Sequence, residues 1–379
     1  MRSRRRLLAA TLAAACLPRV SIADGPPAAD APPDHAEAQR PPAAVPRDLP
    51  GTRPASPLAR DDGTTIDTWD AWLVRREELR SAWLDFLGPW ESGAVGDDVR
   101  VLATTRDGRC TRRLVAYATE PGVEVEAWLL EPPGPAPLRG RPGAVVFHST
   151  TDRTIDEPAD PAPDAPAAIG TWLVEAGFTV LCPRCHLWSG GPTWRLDTTG
   201  ALQRLAARHP GARGMRKLLH DGTRALDVLT HLEGVDPRRV VAAGHSLGAK
   251  EALYLAAFDD RLTGAVASEG GIAIPFSNWN APWYLGAAVD EAGFTLDHAQ
   301  LLALSLPGGL LVLAGESGEG AADGDRSWPT VERALEVGRL RREPPWLGLV
   351  NHRGGHAIPG PARTRLVEWL VAAAARGRV

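Results

Sequence analysis

Five residues constrain the fold of this chain more than any others: Gly244-His245-Ser246-Leu247-Gly248, set between an apolar run at 239–243 and a helix-prone run at 249–257. A serine on a sharp strand-to-helix turn leaves no room for a side chain two positions to either side, where it would collide with neighbouring backbone. Such a turn holds the Ser246 hydroxyl at the C-terminal edge of a sheet. The N–H groups that open the next helix then face any developing negative charge. The competing reading is a helix N-cap serine flanked by incidental glycines.

The surrounding pattern supplies the sheet that such a turn needs. Short, nearly continuous apolar runs at 143–147, 179–182, 239–243, 264–267, 310–314 and 346–350 alternate with helical patterns at 165–176, 215–232, 246–257, 330–341 and 363–375. That alternation predicts parallel strands buried on both faces. Two earlier runs, 113–118 and 123–130, flank Glu120-Pro121-Gly122 and predict a β-hairpin. The expectation is an α/β fold with a mostly parallel central sheet of about eight strands, helices on both faces and the serine turn after the fifth strand. One domain covers 61–379. Its first helix, at 67–87, carries Trp69, Trp72, Leu73, Leu79, Trp83, Leu84 and Phe86 at helical spacing, which reads as a core-facing stripe.

Residues 1–23 are a separate object. Arg4, Arg5 and Arg6 precede a short apolar run from Leu7 to Leu17, and Ser21-Ile22-Ala23 offers a cleavage site after Ala23. The run is too short to span a bilayer. The paired arginines resemble a twin-arginine signal, implying export of a folded protein to the periplasm or beyond without stable membrane insertion; lipid attachment at Cys16 is the alternative. Removal of 1–23 deletes five arginines and no acid, so the net charge goes from −4 to −9. With no basic stripe, a nucleic-acid partner is not expected. Residues 24–60, rich in Pro and Ala, read as a disordered linker. Cys110, Cys182 and Cys185 read as buried thiols or a disulfide; Cys182-Pro183-Arg184-Cys185 has the spacing of half a zinc site, but no second pair accompanies it.

A serine hydroxyl needs a base, and a histidine late in the chain supplies it when the serine lies on such a turn. His356, in Asn351-His352-Arg353-Gly354-Gly355-His356, is the candidate, with His352 its competitor; His220 reads as structural. For the acid that orients the histidine, the loop after 310–314 offers Asp323 first and Asp325 second, and Glu269 is a rival one strand earlier. Two preorganised donors for the oxyanion are expected from Leu247 and from Thr150, in the loop after the third strand. No cofactor or metal is called for.

The motifs Asp221-Gly222-x-Arg224-Ala225-x-Asp227 and Val235-Asp236-Pro237-x-Arg239, leading into the serine turn, resemble α/β-hydrolases of the dienelactone hydrolase and acetylxylan esterase type. Ser246, Lys250, Asp260-Arg261 and Glu269 follow in an order similar to that of glucuronoyl esterases. That resemblance implies that Lys250 and Glu269 line a sugar site. The chain departs from the pattern at Leu247, where the glucuronoyl esterases carry an arginine. Between 270 and 294 an insertion holds Phe276, Trp279, Trp283 and Tyr284, facing Trp188 and Trp194 in the loop after the fourth strand. These aromatics suit either stacking on sugar rings or packing as a lid. The resulting expectation is an exported serine ester hydrolase acting on a small-molecule or polysaccharide ester. A serine peptidase, a dienelactone-type hydrolase of small esters and a non-catalytic sugar-binding protein are the alternatives.

Overall fold

The computed structural model describes residues 35–43, 45, 54–60, 62–106, 108–162, 164–190, 193–306, 308–318, 320–341 and 345–377. The predicted signal and its cleavage site lie outside the described residues. In chain order the elements are α1 (His35–Ala38), α2 (Trp69–Leu87), β1 (Arg100–Arg106), β2 (Thr111–Glu120), β3 (Val123–Glu131), β4 (Arg141–Phe147), α3 (Ile169–Glu175), β5 (Thr179–Pro183), β6 (Trp188–Gly190), β7 (Trp194–Leu196), α4 (Thr198–Arg208), α5 (Gly214–His231), β8 (Val235–His245), α6 (Leu247–Phe258), β9 (Leu262–Ser268), α7 (His298–Leu304), β10 (Leu310–Ala314), α8 (Trp328–Gly338), β11 (Leu347–Asn351) and α9 (Gly360–Arg376).

Nine strands form one sheet in the order β1-β2-β3-β5-β4-β8-β9-β10-β11. From β5 to β11 every neighbour is parallel, while β1, β2 and β3 run antiparallel and the short β6–β7 ribbon stands apart. The parallel strands of the main sheet are largely apolar on both faces because both are covered. One core layer packs α1, α3 and α9 against the sheet through Ile169, Trp172, Leu366 and Trp369. The other packs α2, α5, α6, α7 and α8 on the opposite face.

The chain leaves β4 toward β5 on one side and returns through β8 on the other. A crevice therefore opens where the order reverses, at the C-terminal strand ends. Helix α2 buries Trp72, Arg76, Leu79, Trp83 and Leu87, one face at three- and four-residue spacing. Its Thr68 side chain accepts from Ala71 N–H at 3.3 Å to cap the first turn. Leu73, predicted for the stripe, instead faces solvent at 44% exposure.

The structure adds two elements to the predicted order. The sheet gains an edge strand, β1, whose seven residues are all exposed. Within the span 24–60 the described residues include α1, which finds an apolar partner in the body of the domain. His35 packs on Trp346 and Trp369, and Gln39 donates to the carbonyls of Pro345 and Leu347 at 2.6 and 3.1 Å. Cys182 and Cys185 are free and buried, in line with the buried-thiol reading. Among the described residues no helix is long and apolar enough to cross a membrane.

Candidate active site

Strand β8 ends at His245, and Ser246 turns the chain into α6 at φ 57° and ψ −113°, a strained conformation for a residue with a side chain. The flanking glycines are steric necessities. A Cβ on Gly244 would stand 2.2 Å from the Gly248 carbonyl group, and one on Gly248 would stand 2.4 Å from the Phe147 carbonyl oxygen. Ser246 donates its N–H to Ser268 O at 2.8 Å, tying the turn to the end of β9. Leu247 opens α6, so its N–H has no partner within the helix.

One residue beyond β9 the chain makes a second strained turn, at Glu269, φ 56°. Its carboxylate, 1% exposed, accepts from the N–H groups of Gly315 and Ala322. It also faces two histidines. Oε2 lies 3.6 Å from His356 Nδ1, and Oε1 lies 3.6 Å from His352 Nε2. The His356 ring centroid stands 4.7 Å from that of His245, next to the serine. Burial pushes the His245 imidazole down to about 3 and lowers His352 as well. His352 spends its Nδ1 accepting from Gly354 N–H at 3.1 Å, which shapes the loop that carries His356.

The first and second choices for the acid are engaged elsewhere. Asp323 accepts from Gly271 N–H at 2.9 Å, Ile272 N–H at 2.6 Å and Ser327 Oγ at 2.7 Å. Asp325 accepts from Asn351 Nδ2 at 2.8 Å and Arg353 Nη1 at 2.7 Å. The structure brings Glu269, not Asp323 or Asp325, to His356. Asp323 instead clamps the backbone that follows Glu269, whose N–H groups would otherwise be buried without acceptors, and Asp325 pairs with side chains of the loop after β11.

Lys250 sits one turn into α6, 4% exposed, and donates to Gly270 O at 2.5 Å and Ser277 Oγ at 2.7 Å. Its ammonium lies 3.9 Å from the centroid of the Trp279 ring, whose Nε1 donates to Gly271 O at 2.6 Å. Burial brings the lysine down to about 7. Lys250 therefore grips the insertion from below, and its three donors face two oxygens and a ring. The aromatics divide accordingly. Trp279 and Trp188 are buried, Trp188 donating to Asp152 at 3.1 Å, and cannot present a face to a sugar. Trp283 is half-buried at the rim.

Thr150 is exposed in the loop after β4. Sequence reasoning missed Glu157 in that same loop, a carboxylate with no motif around it, which accepts from both Ser149 N–H at 2.7 Å and Ser149 Oγ at 2.5 Å. Among the described residues one group has metal-ligand spacing: Glu120, His220 and Asp221 bring donor atoms within 4.8 Å of one another. The Lys217 ammonium lies 2.7 Å from Glu120 and 2.6 Å from Asp221 and already supplies the cation there. His220, in the structural role expected for it, donates Nε2–H to Thr119 O at 2.9 Å.

The dienelactone hydrolase family model matches residues 127–302, the stretch from β3 through the serine turn to α7. A comparison with curated proteins finds no match. Among solved structures, a glucuronoyl esterase from Solibacter usitatus superposes with a TM-score of 0.64 at 17% identity, over 89% of this chain and 99% of that one. A glucuronoyl esterase from Teredinibacter turnerae gives 0.62 at 20% identity, over 89% and 98%. The glucuronoyl esterase catalytic domain from Hypocrea jecorina gives 0.55 at 14%, over 86% and 90%. The chain thus has the α/β-hydrolase fold, similar to the dienelactone hydrolase family through its serine-bearing core and to glucuronoyl esterases in overall structure.

Proposed function

We propose that this chain is an exported serine ester hydrolase, cleaved after Ala23, that acts on carbohydrate esters. The observation that carries the reading is the alignment of three parts: a strained serine on its turn, His356 beside that turn, and the buried Glu269 carboxylate 3.6 Å behind the imidazole. In this scheme Ser246 Oγ attacks the ester carbonyl while His356 Nε2 takes its proton. Glu269 holds the ring in the tautomer with Nδ1–H and stabilises the imidazolium. The N–H groups of Leu247 and Thr150 receive the oxyanion. His356 returns the proton to the departing alcohol, and water, activated by the same histidine, releases the acid from the serine.

The substrate class rests on resemblance to the named esterases, and the burial of Lys250, Trp188 and Trp279 narrows how a sugar could be held. Contacts would come from the rim, where Trp283 is accessible, with Lys250 shaping the floor. The test is incubation of the cleaved protein with p-nitrophenyl acetate, acetylated xylan and a methyl glucuronate ester, alongside a fluorophosphonate probe. Ester turnover with label on Ser246 is expected. Absence of both turnover and label would overturn the proposal.

A further inference from the structure

We infer that Glu157 is a positioning residue of this site: it fixes the Ser149–Thr150 peptide, and with it the second oxyanion donor. The inference rests on the proposed ester hydrolysis and adds a residue to it.

The argument starts from Ser149, whose polar groups are all held. Its N–H and Oγ donate to the two oxygens of Glu157, at 2.7 and 2.5 Å. Its carbonyl oxygen accepts from Thr151 N–H at 2.9 Å and lies 2.7 Å from His148 Nδ1. The tautomer of His148 follows from its other nitrogen, because Nε2 accepts from Cys185 N–H at 3.1 Å and Nδ1 must therefore carry the proton. A trans peptide is planar, with C=O and N–H antiparallel. The Ser149 carbonyl therefore sets the direction of the Thr150 N–H, and Glu157 holds the residue that carries this carbonyl by its own N–H and Oγ. The loop also abuts the serine turn, since a Cβ on Gly248 would stand 2.9 Å from the His148 carbonyl oxygen. Leu247 N–H and Thr150 N–H are accordingly presented by two segments in contact.

The experiment uses the full cleaved chain with p-nitrophenyl acetate across pH 5 to 9. Glu157→Ala is expected to lower kcat about 30-fold with KM little changed, less than the ~10²–10³ seen when a donor is deleted outright. Glu157→Gln, which keeps an acceptor for Ser149 but no charge, is expected to recover kcat to within about 5-fold of wild type. A residue that only packed the loop would lower stability without this split between kcat and KM or the rescue by Gln. Should Glu157→Ala fail to fold, Glu157→Gln and Ser149→Ala carry the test, the latter removing only the Oγ bond. Unchanged kcat in folded Glu157→Ala, or in Ser149→Ala where the former does not fold, would overturn the inference while wild-type turnover kept the proposed function intact. A wild type that neither turns over nor labels on Ser246 would remove the function and this inference together.

Discussion

Replacing Glu269 by Gln tests which carboxylate serves His356. The 3.6 Å separation between Oε2 and Nδ1 sets the scale. At an effective dielectric constant near 20, a unit charge at that distance stabilises the imidazolium by about 4.6 kcal/mol, or roughly 10³-fold in rate. Gln keeps the shape and can still accept from Gly315 N–H. Its amide NH₂, however, would meet the Ala322 N–H that the carboxylate receives at 3.0 Å. A modest loss of stability should accompany the loss of rate. The matched control is Asp323→Asn, which weakens the clamp on Gly271 and Ile272 and carries no charge change at His356. Steady-state hydrolysis of p-nitrophenyl acetate, with a thermal melt for each variant, separates the two. Glu269→Gln should lose about 10³ in kcat with a melt close to wild type. Asp323→Asn should lose melting temperature first and retain most activity at low temperature. A Glu269→Gln variant within tenfold of wild type, or an inactive Asp323→Asn with an unaltered melt, would refute the assignment.

Lys250 is lowered from 10.5 to about 7 by burial, so between those values the unfolded chain binds more protons than the folded one and this group's contribution to stability rises with pH. Denaturant titrations should show that slope in wild type and a flatter one in Lys250→Met; identical slopes would contradict it. Gly248→Ala places a Cβ 2.4 Å from the Phe147 carbonyl oxygen and should cost ~3 kcal/mol or more together with the activity, so a wild-type melt and rate would be incompatible with the turn described. Because Cys182 and Cys185 are buried free thiols, Ellman's reagent should leave both unmodified in the native cleaved chain and titrate them after unfolding. Rapid native reaction would place at least one of them at the surface.

The parts of the fold legible in the sequence are those whose burial is two-sided. Each of β4, β5, β8, β9, β10 and β11 holds a continuous apolar stretch, so composition alone marks it. Strand β1 carries no such mark, because all its residues are exposed and its pairing to β2 supplies its order. Helix α7 left a signal that went unread: Asp297 and Gln300 form a capping box, with Ala299 N–H donating to Asp297 at 2.7 Å. Helix α1 was not legible at all, since four residues gain order only through tertiary contact with Trp346 and Trp369. In the site, Ser246 was legible because backbone geometry dictates its glycines. The acid was not, because a buried carboxylate that clamps N–H groups and one that orients a histidine look alike in a sequence. Asp323 and Glu269 each accept from two backbone N–H groups, and only their distance to His356 tells them apart.

Backbone strain joins these observations. Among the described residues four without a glycine's freedom have positive φ: Thr154, Ser246, Glu269 and Arg353. Each lies in a loop at the C-terminal strand ends: after β4, after β8, after β9 and after β11. Conformations of this kind cost of order 1–3 kcal/mol each and persist only where neighbours over-determine them. The neighbours are identifiable. Arg184 donates to the Thr154 hydroxyl, and the glycine contacts pack the turn around Ser246. Lys250 and Asp323 hold Gly270, Gly271 and Ile272 immediately after Glu269. Asp325 and Glu316 pair with Arg353. The residues the sequence offered as sugar ligand and triad acid thus have a shared physical task, which is to hold strained backbone beside the groups that react. On that account Lys250, Asp323 and Asp325 would serve the proposed hydrolysis through geometry, and their substitution should broaden the positions of Glu269 and His356 before it changes the chemistry proposed for either.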